Sequence, residues 1–154
     1  MSLKSDLIRL ENASEQQLDL LTAIHQQCFT TYWNIEEFND FFSVAGTYAH
    51  LAYAPQPVGM MVYRQQVEQA DIITIAVLPD YRRQGVAKAL LANAMAHLQQ
   101  LGVETVFLDV EHQNQAALAF YEGFGFRHIR RRKNYYRQKD GTYTDALVMA
   151  YKFA

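Results

Sequence analysis

Residues 72–87 constrain this chain more than any other stretch. An apolar run, Ile72-Ile73-Thr74-Ile75-Ala76-Val77, reads as a buried strand; Pro79-Asp80 stops it; Arg82-Arg83-Gln84-Gly85-Val86-Ala87 then opens a long helix. A helix N-terminus exposes unpaired backbone N–H groups and the positive end of the helix dipole, so a strand feeding such a turn can hold a phosphate. Gly85 and Ala87 are small enough for an anion to approach the backbone, and Arg82 and Arg83 add positive charge at the rim. The plainer reading is a strand–helix turn with a glycine at the cap. Two arginines just before a helix N-terminus oppose its dipole, and an anion between them removes that conflict.

The rest of the chain supplies a sheet around this unit. Leu7-Ile8-Arg9-Leu10 reads as a first strand. Ser14 and Gln17 have capping-box spacing, and Leu18, Leu21, Ile24 and Cys28 follow on one helical stripe, which puts Cys28 in a core remote from any chemistry. Asn34 and Glu37 repeat the capping signal for a short helix to about Phe42, after an aromatic loop, Phe29-Thr30-Thr31-Tyr32-Trp33. Tyr48 to Tyr53 and Val58 to Arg64 read as strands joined by Pro55-Gln56-Pro57, and residues 69–77 form the next. The long helix is predicted from about Arg83 to Leu101, ended by Gly102. In the strand Thr105 to Glu111, Val106, Leu108 and Val110 face one way and Phe107, Asp109 and Glu111 the other. Asn114 caps a helix to about Phe124, Gly125-Phe126 starts a strand, and Tyr143 to Lys152 closes the sheet. The order β-α-α-β-β-β-α-β-α-β-β predicts an α/β (α+β) fold, one mixed sheet with helices on both faces, as a single domain over residues 1–154.

Composition narrows the function classes. Half of the 154 residues are hydrophobic, enough for a sizeable core. No apolar run approaches the length that crosses a bilayer and no secretory segment opens the chain, so neither membrane nor export is expected. One cysteine forms no internal disulfide and fits a reducing, cytoplasmic setting. Five histidines are scattered without metal-ligand spacing, so no metal is expected. Residues 127–154 carry +6 and the rest −8. The basic end lacks a Gly-aromatic RNA-binding pattern, and nucleic acid is disfavoured as a partner.

The turn Arg82-x-x-Gly85-x-Ala87 resembles the acetyl-CoA signature of the GNAT acetyltransferase superfamily, and the element order resembles that fold over nearly the whole chain. The resemblance implies acetyl-CoA as cosubstrate, with its diphosphate on Arg82, Arg83, Gln84, Gly85, Val86 and Ala87. It implies splayed strands on either side, with the pantetheine arm paired to Ile75, Ala76 and Val77. The Val77 N–H would then face the thioester oxygen in an oxyanion-hole role. Asn114 to Phe126 looks like the family's Asn-x-x-Ala-x-x-x-Tyr-x-x-x-Gly-Phe motif, which implies that Asn114 touches the cofactor arm and that Tyr121 protonates the departing thiolate. A tyrosine of pKa around 10 holds that proton at neutral pH. The alternative for Tyr121 is a core tyrosine with its hydroxyl satisfied elsewhere.

Two carboxylates stand as base for the acceptor amine. Asp109 occupies the place where the RimI-type members, ribosomal-protein alanine N-acetyltransferases, resemble this chain but carry Glu. Glu111, roughly 7 Å further along the same strand face, is the fallback base. Arg131-Arg132-Lys133-Asn134-Tyr135-Tyr136, Asp140-Gly141 and Asp145 to Met149 are similar to the ending of that group, and Trp33 to its Pro-Trp element, with Tyr32 in place of Pro. The resemblance implies that Trp33, Tyr135 and Tyr136 wall the acceptor groove; packing explains these aromatics equally well. The leading expectation is transfer of acetyl to a primary amine, a protein N-terminus in the first place, by direct attack in a ternary complex. A small-amine acetyltransferase and a non-catalytic acyl-CoA-binding module are the alternatives.

Overall fold

The computed structural model describes residues 7–154. Residues 1–6 of the expected domain lie outside the described residues. The elements are β1 (Arg9–Ala13), α1 (Leu18–Cys28), α2 (Ile35–Phe42), β2 (Thr47–Tyr53), β3 (Pro57–Gln66), β4 (Gln69–Val77), α3 (Val86–Gln100), β5 (Thr105–Glu111), α4 (Gln115–Phe124), β6 (Arg127–Arg137) and β7 (Tyr143–Lys152). They follow the expected order and form a seven-stranded sheet, β1-β2-β3-β4-β5-β7-β6. The β4–β5 pair is parallel, across the α3 crossover, and the other pairs are antiparallel.

Each face of the sheet buries one core. Leu21 and Ile24 of α1 and Phe38 of α2 pack on Ala49, Leu51, Met60, Val62 and Ala76. On the other face Leu90, Leu91, Ala94 and Leu98 of α3 and Leu118 of α4 pack on Met61, Tyr63, Val106 and Leu108. Both capping boxes form. Ser14 N–H donates to Gln17 Oε1 at 2.8 Å, and Glu37 N–H donates to Asn34 Oδ1 at 2.9 Å.

Of the boundaries that differ from the sequence expectation, three have a clear local cause. β1 lies two residues later, at Arg9–Ala13, because its extent is set by pairing with Ala49–Tyr53 of β2 and not by its own apolar residues. α3 begins at Val86, not near Arg83: Arg83 and Gly85 have φ of +62° and +90°, which no helix residue can adopt. β6 begins at Arg127, since Gly125 ends α4 and the Phe126 N–H turns back to the Tyr121 carbonyl at 3.0 Å.

Two local features position the site. β4 and β5 pair only at Gln69↔Thr105, Ala70↔Val106 and Asp71↔Phe107. Just beyond the last pair, β3 and β4 shift register so that Ile73 is an extra residue between Ile72, opposite Tyr63, and Thr74, opposite Val62. Such a bulge bends its strand, and β4 leaves β5 from that point. The second feature is Gly59, opposite Val77. A Cβ there would come 2.9 Å from Val86 Cγ1 and 3.3 Å from the Ala76 carbonyl oxygen. Only glycine lets the first turn of α3 settle this close to the end of β4.

Candidate active site

The turn between β4 and α3 supplies no side-chain cap to the helix that follows it. Gly85 caps α3 without a side-chain hydrogen bond, and the first intrahelical bond runs from the Ala89 N–H to the Gly85 carbonyl at 3.0 Å. The amides of Val86, Ala87 and Lys88 therefore point out of the helix end without an intrahelical partner. A Cβ built at Gly85 meets nothing within 4 Å, so the space in front of this end is open. Arg82 is engaged from behind: its Nε donates to the Val77 carbonyl at 2.9 Å, tying the turn to the end of β4. Gln84 Nε2 donates to the Asp80 carbonyl at 3.1 Å.

The gap between β4 and β5 opens at this end. The Leu78 N–H donates to the Val58 carbonyl at 2.8 Å, which fixes the alternation along the β3–β4 ladder. Ala76 turns its backbone groups to β3, and Ile75 and Val77 turn theirs to the gap. Cys28 corrects its expected remoteness. Its Sγ lies at the end of α1 and donates to the Val77 carbonyl at 3.3 Å, beside Arg82. Burial pushes this thiol above its ordinary pKa, against the opposing pull of Arg82.

Two adjoining cavities of about 580 and 540 Å³ run through the gap and share Trp33, Ile73, Asp109 and Tyr136 in their walls. Tyr121, with Asn114, Ala117 and Glu111, lines the second. The Asn114 side chain caps α4 by accepting from the Ala117 N–H at 3.2 Å. The Tyr121 ring packs edge-on against Phe120 and Phe126, 5.1 and 5.7 Å between centroids. Burial pushes its hydroxyl up to about 12, so it is a proton donor throughout the neutral range.

The two carboxylates differ in company. Asp109 Oδ1 lies 3.4 Å from Arg132 Nε, a charge contact rather than an aligned hydrogen bond, since that Nε is buried and makes none. Glu111 Oε1 is likewise buried with no hydrogen-bond partner, and His112 Nδ1 is 3.6 Å from it. Asp71 joins the cavity floor. Burial and the nearby Asp109 charge raise its pKa, while Arg64 and Arg132 counter them.

The outer walls are aromatic. Trp33 stacks on His25 at 4.4 Å and 14°, His25 also touches Phe29 at 4.4 Å, and Trp33 meets Phe41 at 4.8 Å. His25 Nδ1 accepts from the Trp33 N–H at 3.2 Å, which leaves the neutral ring's proton on Nε2. Opposite stand Tyr135 and Tyr136, edge-to-face at 5.0 Å, with the Arg132 guanidinium 5.3 Å over the Tyr135 ring. Burial, the Asp109 charge and Tyr135 push the Tyr136 hydroxyl well above its ordinary range.

The fold thus brings Trp33, Ile75, Asp109, Glu111, Asn114, Tyr121 and Tyr136 around one cavity, and Tyr135 around its neighbour. The turn from Arg82 to Ala87 stands at the end of the bordering strand and lines neither cavity. Sequence reasoning missed His25 and Arg132. His25 was legible, four residues after Leu21 on the buried stripe; nothing in the run Arg130 to Lys133 singles out the one arginine that meets Asp109. Among the described residues no group of three His, Cys, Asp or Glu comes together to hold a metal, and no helix is long and apolar enough to cross a membrane.

Residues 15–126 match the acetyltransferase (GNAT) family, and the chain belongs to that family. It is similar to the ribosomal protein bS18-alanine N-acetyltransferase of Escherichia coli (strain K12), 44% identical over 84 residues. That alignment takes in 54% of this chain and 56% of the relative, so it spans little more than half the length of the curated protein. The protein of the same name from Haemophilus ducreyi is 30% identical over 143 residues, 92% of this chain and 97% of that one. The crystal structure of the ribosomal-protein-S18-alanine N-acetyltransferase from Escherichia coli superposes with a TM-score of 0.88 at 28% identity, covering 96% of this chain and 94% of that one.

Proposed function

We propose that this chain transfers an acetyl group from acetyl-CoA to the N-terminal α-amino group of a protein in the cytoplasm, a ribosomal protein by class, through direct attack in a ternary complex. The observation that carries the reading is the passage between β4 and β5. It joins a buried proton donor, Tyr121, to an open aromatic groove at Trp33 and Tyr136. The relatives named above are alanine N-acetyltransferases of a ribosomal protein, which agrees with that groove.

The residues fit acetyl-CoA. Uncapped amides at Val86 and Ala87, open space at Gly85 and the cation of Arg83 suit a diphosphate. The gap-facing backbone of Ile75 and Val77 suits an amide-bearing arm, which acts as the strand missing between β4 and β5. Acetyl-CoA supplies the activated acetyl group. The Val77 N–H donates to the oxygen on which charge develops. Glu111 takes the proton of the attacking amine, directly or through a water, because Asp109 faces the fixed Arg132 cation while Glu111 Oε1 makes no hydrogen bond and has His112 Nδ1 3.6 Å away. Tyr121 gives its proton to the departing sulfur. Asp109 and Arg132 shape the groove floor, and Trp33, Tyr135 and Tyr136 line the path of the acceptor backbone.

The test is acetyl transfer from acetyl-CoA to peptides with free and with blocked N-termini, alongside a panel of small amines. Transfer to the free peptide terminus alone is expected. Transfer confined to small amines moves the acceptor class, and tight acetyl-CoA binding with no transfer at all reduces the chain to a binding module.

A further inference from the structure

Asp145 is absent from the chemistry above, yet four contacts converge on it. β6 and β7 pair at Arg132↔Ala146 and again at Tyr136↔Thr144, so Lys133, Asn134 and Tyr135 stand opposite Asp145 alone. This is a bulge with two extra residues, and Asn134 at its centre has φ of +53°. Asparagine is one of the few residue types that adopt such a φ readily, and the Asp145 carboxylate bonds to the bulge and its approach: Oδ1 accepts from the Asn134 N–H at 2.8 Å and Oδ2 from Arg131 Nε at 2.5 Å. Both are charge-assisted bonds of the strong kind. The Asp145 carbonyl meanwhile accepts from the His112 N–H at 3.0 Å and lies 3.2 Å from His112 Nδ1, whose ring borders Glu111.

We propose that Asp145 is the positioning residue of the acceptor side, holding the β6 bulge in the conformation that brings Arg132, Tyr135 and Tyr136 to the cavity and fixing the Glu111–His112 corner against β7. Bulges re-aim side chains, and this one places two consecutive tyrosines on one cavity, where an unbroken strand would send them to opposite faces. The Asn134 N–H and Arg131 also hold the Asp145 carboxyl below the usual carboxylate range, so the clamp stays charged at neutral pH. The inference deepens the acceptor reading given under the proposed function and rests on it for its kinetic arm only.

The experiment compares Asp145→Asn and Asp145→Ala by hydrogen exchange and by kinetics. Asparagine keeps an acceptor for the Asn134 N–H and loses the ion pair; alanine loses both. In Asp145→Ala the Asn134 amide should exchange about tenfold faster or more, as expected when a charge-assisted bond is lost, with α3 unchanged. Its kcat/KM for the acceptor peptide should fall between about tenfold and a hundredfold, with KM for acetyl-CoA unmoved. Asp145→Asn should recover most of the exchange protection and part of the acceptor kcat/KM. A merely structural role predicts a lower Tm with both substrates affected alike and no rescue by asparagine, and that result overturns the proposal. Unchanged protection at Asn134 overturns it as well. If Asp145→Ala does not fold, Asp145→Asn decides by the same two readouts: a selective fall in acceptor kcat/KM supports the clamp, and wild-type values for both remove it. Should the wild-type chain acetylate no peptide terminus, the proposed acceptor falls, and exchange at Asn134 still judges the clamp alone.

Discussion

Arg132 of β6 reaches across β7 to place its Nε 3.4 Å from Asp109 Oδ1 on β5. The contact takes the carboxylate at the groove floor into an ion pair and leaves Glu111, two residues on, as the carboxylate with a buried oxygen and no hydrogen-bond partner.

That difference separates the two acids kinetically. Glu111→Gln should lower kcat about a hundredfold, the ordinary worth of a positioned base, with acceptor KM little changed. Asp109→Asn should mainly raise acceptor KM, because it releases Arg132 into the groove. Steady-state kinetics on both variants checks this; loss of kcat in Asp109→Asn alone would return the base to Asp109.

Tyr121→Phe keeps the packing against Phe120 and Phe126 and removes only the hydroxyl. The fold should survive and kcat should fall by about a hundredfold. Burial raises the Tyr121 pKa from 10.0 to about 12, so its hydroxyl proton is still present well above neutrality. In the wild type, kcat should show no alkaline decline from this group below pH 10, the ordinary tyrosine value. A pH–kcat profile with a limb near neutrality that vanishes in Tyr121→Phe would contradict it.

At Gly85, strain and charge come apart. The φ of +90° penalises any side chain, but the open space means no clash. Gly85→Ala should cost about 1 kcal/mol of stability and weaken acetyl-CoA binding modestly. Gly85→Asp adds a carboxylate where a diphosphate is proposed to sit. Its affinity should drop more than about tenfold, the effect of roughly 1.4 kcal/mol of repulsion. Titration calorimetry on both variants separates the two effects.

His25 and His50 set an acid limit on stability. Burial lowers each from 6.5 to about 4, with the nearby His97 assisting at His50. The unfolded chain therefore takes up protons first as pH falls. Stability contributed by the two neutral rings is full above pH 6.5 and is lost progressively between 6.5 and 4. Urea midpoints across that range should fall steadily. His50→Gln should shallow the slope by at most one proton's share, about 1.4 kcal/mol per pH unit, and an unaltered slope would exclude His50 as a contributor.

Most of the fold was legible because periodicity and caps are local. Asn34/Glu37 starts its helix where its spacing says, Ser14/Gln17 caps a 3-10 turn, Glu15–Gln17, that leads into α1, and Val106, Leu108 and Val110 are buried while Phe107, Asp109 and Glu111 are only partly so. The misplaced β1 depended on its partner strand, and the late start of α3 on two positive φ angles that only the folded turn reveals. At the candidate site the carboxylates and aromatics singled out in the sequence line two adjoining cavities. The sequence put Asp109 ahead of Glu111 as the base, and the contact that argues for the reverse order comes from Arg132, on a strand more than twenty residues away in the chain. It misjudged Cys28, since a helical stripe gives the face a side chain occupies but not that the helix's last turn ends at the Val77 carbonyl.

The short parallel seam at Gln69, Ala70 and Asp71 makes the sheet resemble two leaves on a narrow spine, one of four strands and one of three. Those three residue pairs are all the ladder that joins the leaves, and the core under α3 and α4 spans both. A molecule that bridges them by backbone-like hydrogen bonds stitches the sheet as it binds, so heat resistance should climb with its concentration. By the same linkage, the chain with nothing bound there should melt at the lowest temperature.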